Sequence, residues 1–140
     1  MQLEACLVCD SASDYNGMLC LLGARDTLLA PKAPCVHPHC AIVVRLRFER
    51  AEEGNHRIKL VLIDEDGRPV GPHVDNEHFI RVPEERGNTV ANLILGMNNL
   101  ILPRFGVYHF DLLVDGELKC RVPIYLVQVQ LPPGRPAATG

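Results

Sequence analysis

Apolar residues alternate with polar ones along several stretches of this chain. Three runs show the alternation clearly, at 40–49, 56–64 and 108–115. In the first run, Phe48 belongs to the apolar face and Arg47 to the polar face. A period of two residues, with an enrichment in β-branched and aromatic side chains, is typical of a strand that has one buried face. The pattern therefore predicts β-strands that pack one side into a core.

Short sequences that favour tight turns separate these runs, and prolines fall between them, where no hydrogen bond of a sheet is lost. This succession predicts an all-β fold, an antiparallel β-sandwich of about eight or nine strands. We assign it to one domain over residues 1–131, followed by a disordered tail at 132–140 that is rich in Pro, Gly and Ala. The dipeptides that accept the positive φ of hairpin turns are Asn16-Gly17, Asp66-Gly67 and Asp115-Gly116.

The segment 89–101 is compatible with two kinds of secondary structure. Several of its apolar residues, among them Val90, Leu93 and Met97, have the spacing of a helical stripe. Gly96 and the asparagines after it are poor helix residues, and the ends of the segment resemble a strand. A helix and a strand both remain open, and the strand is favoured.

The sequence from Leu102 to Tyr108 has the L-x-x-x-G-x-Y arrangement of a tyrosine corner. In immunoglobulin-like sandwiches this tyrosine lies at the start of a late strand, and its hydroxyl bonds to backbone a few residues upstream. The motif favours an immunoglobulin-like, Greek-key arrangement of the strands. It also predicts a hydrogen bond from Tyr108 to the backbone that precedes it.

Composition narrows the class of protein. The chain has 140 residues, 47% of them hydrophobic, which is enough for a core without disulfides or metal. Its formal charge of −3 argues against nucleic-acid binding, because such proteins usually carry a basic patch. The chain has neither the ~20 consecutive apolar residues of a membrane-spanning helix nor the cationic start of a signal peptide. We therefore expect a cytoplasmic protein without a membrane partner.

The densest cluster of potential metal ligands lies at 35–40. Thiolates and imidazoles are the ligands that zinc prefers, so zinc binding is an alternative to the expectation of no cofactor. Against it, the spacing matches no zinc finger or zinc ribbon. The other interpretation is that the cysteines other than Cys35 are small core residues, and that the two histidines, two apart on an extended segment, face the same way at a solvated strand entry. The candidate ligands are Cys35, His37, His39 and Cys40.

A second polar group lies in a stretch flanked by glycine and proline, which we interpret as a loop. Loops carry function disproportionately, so this stretch is a candidate binding loop, and a small-ligand pocket beneath it is a further alternative. The sequence has no arrangement typical of nucleophilic or acid–base catalysis. The candidate loop residues are His73, Asp75, Asn76, Glu77 and His78.

The chain resembles a family of small uncharacterised bacterial proteins, known only as a domain of unknown function. The resemblance covers residues 2 to about 129 and implies a stand-alone cytosolic sandwich, with no known activity, substrate or cofactor. It does not extend to a requirement for Cys35 or Cys40. The matching features are Cys9-Asp10, Asn16-Gly17-Met18-Leu19, His37-Pro38-His39, the stretch from Val61 to Gly67, Leu102-Pro103 through Tyr108, and Val114-Asp115-Gly116.

These observations predict a non-catalytic binding or assembly module that acts through loops and sheet edges. Strand edges are templates for pairing with another chain, so we expect a protein partner or self-association into a homo-oligomer. Val43, Ile63 and Leu113 are apolar residues on otherwise polar faces, where a second layer or a partner can cover them. The alternatives are a metal-binding protein that uses the cluster at 35–40, and a small-ligand-binding sandwich.

Overall fold

Most of the residues that the structure describes lie in β-strands, so the predicted all-β class is confirmed. The computed structural model describes residues 1–71 and 73–130, and the residues of the predicted tail lie outside them. Within the described residues the only helical segment is a 3-10 turn at Arg50–Glu52, and no helix is long and apolar enough to span a membrane. The same residues contain ten strands, which are β1 (Gln2–Cys9), β2 (Ser11–Tyr15), β3 (Met18–Leu22), β4 (Thr27–Ala30), β5 (Cys35–Glu49), β6 (Gly54–Ile63), β7 (Val74–Ile80), β8 (Asn88–Leu102), β9 (Gly106–Val114) and β10 (Glu117–Gln128).

The strands form three sheets. One has the order β1-β5-β8, the second the order β4-β10-β9-β6-β7, and the third is the hairpin β2-β3. All pairs are antiparallel except β4 with β10, which run parallel. The predictions of eight or nine strands and of a purely antiparallel fold are therefore wrong in detail. β4 and the strands of the hairpin have only four or five residues each, too few for a period of two to stand out.

The two larger sheets share one hydrophobic core. β5 contributes its predicted apolar face, and Ile42, Leu46 and Phe48 are fully buried there. From the five-stranded sheet, Leu62 and Phe110 lie in the same cluster and are equally inaccessible. At roughly 25 cal/mol for each Å² of apolar surface removed from water, the burial of side chains of this size is the dominant favourable contribution to folding.

The hairpin β2-β3 covers the other face of β5. There Ala41 and Val43 are 2% and 0% exposed and form a second cluster with Cys9. The hairpin packs Leu19 and Leu21 against them. The prediction that a second layer could cover Val43 is thus confirmed. As a result, β5 is buried on both of its faces.

The ambiguous segment 89–101 is a strand, and the helical alternative is wrong. It belongs to β8, which pairs along its whole length with β5, from Asn88 opposite Glu49 to Leu102 opposite Cys35. The equally long β5 pairs with β8 from end to end, apart from one irregular position at Asn99, and this tertiary pairing outweighs the weak local preference of the segment.

Tyr108 forms the predicted corner. Its hydroxyl donates a hydrogen bond to the backbone oxygen of Arg104 at 2.7 Å and accepts one from the Arg104 backbone nitrogen at 3.0 Å. The ring is buried, with only 3% of the residue exposed. The corner therefore fixes the turn between β8 and β9, which connects the two larger sheets.

Replacing Tyr108 with phenylalanine removes the hydroxyl and keeps the ring. We expect Tyr108→Phe to lower the free energy of unfolding by about 1–2 kcal/mol, because two partly buried hydrogen bonds to the Arg104 backbone are lost. Urea denaturation followed by circular dichroism measures this difference. Tyr125→Phe is the matched control, because Tyr125 is 42% exposed, and it should change stability by less than about 0.5 kcal/mol. Equal effects of the two substitutions would contradict a structural role for the corner.

Candidate functional site

The four candidate metal ligands at 35–40 occupy different environments at the start of β5. Cys40 is fully buried in the main core, and Cys35 is half-buried at its border. His37 is also buried, whereas His39 is exposed and its Nδ1 lies 2.8 Å from Oδ1 of Asn98. The structure therefore does not gather these side chains around one point. In the described part of the chain, no three His, Cys, Asp or Glu side chains form a group that could hold a metal ion.

An irregularity shared by β5 and β8 separates the two histidines. His37 pairs with Leu100 and His39 with Asn98, and the intervening Asn99 has a left-handed φ of 53°. In a regular strand, buried positions on one face are two residues apart. In β5 the buried residues on either side of the irregularity are His37 and Cys40, which are three residues apart. The expectation that His37 and His39 face the same way is therefore wrong, because it assumed an uninterrupted strand.

The buried members of this cluster are held in their neutral forms. Burial, and to a lesser extent the positive charge of Arg25, lowers the pKa of His37. Burial, reinforced by the neighbouring Cys9, raises the pKa of the Cys40 thiol to about 11. The protonated thiol of Cys40 behaves as a core side chain, as the alternative interpretation predicted for this cysteine. The same interpretation placed both histidines at a solvated strand entry, and the buried His37 contradicts it.

The predicted binding loop is a strand, except at its first residue. His73 precedes β7, and the other four residues, Asp75, Asn76, Glu77 and His78, pair with β6 within it. Asp75 accepts two hydrogen bonds from the Arg57 guanidinium, both of 2.8 Å. The loop prediction is wrong because β7 is an outer strand with many polar residues, and their density resembled that of a loop.

The small-ligand alternative required an apolar pocket near these residues. The depression that lies there has a volume of about 240 Å³ and contains the Arg57–Asp75 ion pair. Another depression of about 250 Å³ lies beside the tyrosine corner and is lined mainly by residues 64–66 and 104–108. Both are open and polar, unlike the largely apolar cavities that hold small ligands.

Sequence reasoning did not find the pair of His56 and Asp115, which are far apart in sequence. His56 Nδ1 lies 2.6 Å from Oδ2 of Asp115, and His56 Nε2 lies 2.6 Å from the backbone oxygen of Glu52. Burial opposes a positive charge on the ring, but these two acceptors outweigh it and raise the pKa of His56. Because both ring nitrogens face acceptors, neither offers a lone pair to a substrate. The pair ties the β9-β10 turn to β6 and has no free group for acid–base chemistry.

Sheet edges are the remaining candidate for a functional surface, and most of them carry features that discourage pairing with another chain. β4 has only four residues. β7 carries Asp75 and Glu77. β1 has an irregularity at Glu4, whose carboxylate binds the guanidinium groups of Arg45 and Arg47. Short strands, charges and bulges are the devices by which proteins protect their edges.

The free edge of β8 lacks these devices. We call this the β8 edge: the side of Asn88–Leu102 that faces away from β5 and has no partner strand among the described residues. β8 has 15 residues, and none is charged, histidine or proline. Its one irregularity, at Asn99, lies near its end, so 88–98 is regular. Ile101, close to that end, is 54% exposed.

Apolar side chains next to β8 extend this uncharged surface. The turn of the β2-β3 hairpin is fastened to β8, since Nδ2 of Asn92 donates to Asp14 Oδ2 at 3.1 Å and to the Gly17 backbone oxygen at 3.2 Å. Tyr15 and Met18 flank that turn and are 64% and 57% exposed. Aromatic residues and methionine are enriched in protein interfaces.

Fold and surface together define an all-β protein with several sheets, one of which has a long unprotected edge. The chain belongs to the family described as Family of unknown function (DUF6941), whose sequence profile matches residues 4–127. The predicted membership of an uncharacterised family is thus confirmed. No curated protein matches the chain.

The His56–Asp115 pair makes stability depend on pH in a defined direction. Because the pKa of His56 is raised above 6.5 in the folded protein, its charged form stabilises the fold fully below about pH 6.5. This contribution is lost as the pH rises through the raised pKa. We therefore expect His56→Gln to destabilise the protein more at about pH 6 than at about pH 8.5. Urea denaturation at both pH values measures the difference.

The control for this measurement is His109→Gln, on β9. Comparing each variant with the unaltered protein at the same pH cancels the titration of all other groups, including the buried His37. A cost of His56→Gln that stays constant or grows with pH would show that His56 is uncharged in the folded protein.

Proposed function

We propose that the protein is a non-catalytic binding and assembly module that acts through the β8 edge. The observation that carries this proposal is the contrast between edges. β1, β4 and β7 each carry a device against strand pairing, whereas the 15-residue β8 carries no charge. An exposed edge of this kind presents unpaired N–H and C=O groups, a template that a partner chain completes.

The placement of the polar side chains supports a non-catalytic role. His37 and Cys40 are buried in neutral form, and His56 is hydrogen-bonded at both ring nitrogens. The ion pairs of Arg57 and Arg121 lie on sheet faces, where each arginine meets one aspartate from a neighbouring strand. His56 and the two arginines have structural partners, and His37 and Cys40 are inaccessible to solvent. This leaves the uncharged edge as the surface whose composition the fold of a single chain does not explain.

We also propose that the fold is immunoglobulin-like. Variable-type domains of that class have the strands A, B and E adjacent in one sheet and G, F, C and C′ in the other. The orders β1-β5-β8 and β10-β9-β6-β7 correspond to these in the same sequence order. The corner at Tyr108 supports the assignment, since it stands near the start of β9, the counterpart of strand F.

Site-specific photocrosslinking tests the binding function without knowledge of the partner. A benzophenone amino acid replaces Ile101 near the end of β8, or Phe79 on β7 as the matched control, in full-length protein made in its native cells. Both side chains are exposed, at 54% and 65%. We expect covalent protein adducts from position 101 and few from position 79, with the adducts identified by mass spectrometry.

The additional substitution Gly96→Lys should suppress the adducts at position 101, because a lysine on an edge strand discourages pairing. Adducts that form equally at both positions, or that persist when Gly96 is replaced, would contradict the proposal. The same conclusion would follow from a lack of adducts at position 101.

A further inference from the structure

We infer that the occupant of the β8 edge is a second copy of this chain, paired with it antiparallel about a two-fold axis. This inference rests on the proposed function and names the partner of the same surface. The two three-stranded sheets would then form one continuous sheet of six strands. An interface of this type is isologous, so each copy offers the same surface to the other.

The chemistry of β8 is self-complementary. The backbone groups of a strand edge pair with an identical antiparallel edge, and side chains directly opposite each other lie on the same face. With Leu93 at the axis, the regular part pairs with itself so that Val90 lies opposite Gly96, and Asn88 opposite Asn98. Because β8 has no charged residue, the strand pair itself brings no like charges together, although each copy has a formal charge of −3 and carries Asp14 at the adjoining hairpin turn.

The surroundings of β8 favour a second copy over an extended peptide from another protein. Peptides that add a strand to a sheet gain affinity from the backbone and specificity from pockets for alternate side chains. The best-formed depressions on the described surface are lined by other strands and loops, and none includes a residue of β8. A peptide would therefore find hydrogen bonds at this edge without pockets that select its sequence.

Gly96 indicates that another backbone approaches this part of the strand. A glycine inside a strand costs about 0.5–1 kcal/mol relative to alanine. The single chain gives no reason for that cost, because the φ of Gly96 is not left-handed and an added Cβ would lie 3.7 Å from the His39 ring, an ordinary contact. Glycine in a strand often marks a close approach of a second backbone, and antiparallel pairing supplies one.

The hairpin turn extends the interface beyond the edge. With Leu93 at the axis, the two copies of Asn92 lie near each other, and each Asn92 holds its own hairpin turn. The exposed Tyr15 and Met18 of one copy would thus lie beside those of the other. Asp14 is the acidic group at this turn, and its carboxylate accepts hydrogen bonds from Asn92 and from the Gly17 backbone, which hold its pKa low. The interface therefore combines a hydrogen-bonded strand pair with apolar contacts.

Light scattering after size-exclusion chromatography tests this inference on the purified full chain at about 100 µM. We expect a molar mass near twice the 15.5 kDa of one chain. Gly96→Lys and Asn98→Lys, both within the paired part of β8, should each reduce it to that of a single chain, whereas Phe79→Lys on β7 should leave it unchanged. Circular dichroism shows whether each variant is folded, and the two independent β8 positions guard against a local folding defect.

Amide hydrogen exchange locates the contact. Raising the protein concentration from about 1 to 100 µM should slow exchange within 88–98 and leave β7 unchanged. A chain that is monomeric at the higher concentration would overturn the inference. So would a dimer that persists in both β8 variants, or one whose protection lies outside β8.

The outcomes for the partner and for the proposed function are distinguishable. If the purified chain is monomeric while position 101 forms adducts with a different protein, the β8 edge is a binding surface and the second copy is the wrong occupant. If position 101 forms no adducts and the purified chain is monomeric, the proposed function and this inference both fail.

Discussion

The burial of β5 on both of its faces is the constraint on which the rest of the structure depends. Ala41, Ile42, Val43 and Val44 are consecutive and nearly inaccessible to solvent, so one strand needs apolar cover on two sides. The five-stranded sheet covers one side and the β2-β3 hairpin covers the other. The hydrogen-bonding directions of β5 are satisfied by β1 and β8. Covering β5 therefore determines the positions of both larger sheets and of the hairpin.

The same constraint makes β8 an outer strand. The first segment of the chain occupies one side of β5 as β1, and the connection from β7 delivers β8 to the other side. From β8 the chain passes to the five-stranded sheet through the corner fixed by Tyr108. No described segment is left to pair with the far side of β8. The long uncharged edge is thus a consequence of the chain's path as well as of its composition.

Local patterns in the sequence were sufficient for the strands that have one buried face. The alternation around Leu62 and Phe110, and around Phe48 in the last part of β5, predicted their burial, because there only one face of the strand is fully buried. The corner at Tyr108 was also predictable, since its hydrogen bonds join residues only four apart. The class of fold therefore follows from interactions that are short in sequence or periodic along it.

Other features depend on contacts that no local pattern contains. Asn99 on β8 has a left-handed backbone, and at this point the alternation of buried and exposed positions on the paired β5 shifts by one residue. As a result His37 and His39 lie in different environments. His56 and Asp115 meet only because β6 and β9 are neighbours. The charges of β7 are those of an outer strand, but a run of charges alone does not distinguish an edge from a loop. The sequence of β8 also does not reveal that it is an outer strand, because this follows only from the order of the strands in the sheet.

The protected edge of β1 explains why pairing through β8 would stop at two chains instead of continuing into a fibre. When two β8 strands pair about a two-fold axis, the outer strands of the combined sheet are the two copies of β1. Each of these carries the irregularity at Glu4, with its carboxylate held by Arg45 and Arg47. A bulged and charged edge resists the addition of a further strand, so growth would stop at two chains. A protein tolerates an unprotected edge when the pairing of that edge leaves no other unprotected edge exposed. Here the edges that remain after pairing belong to β1, which is protected.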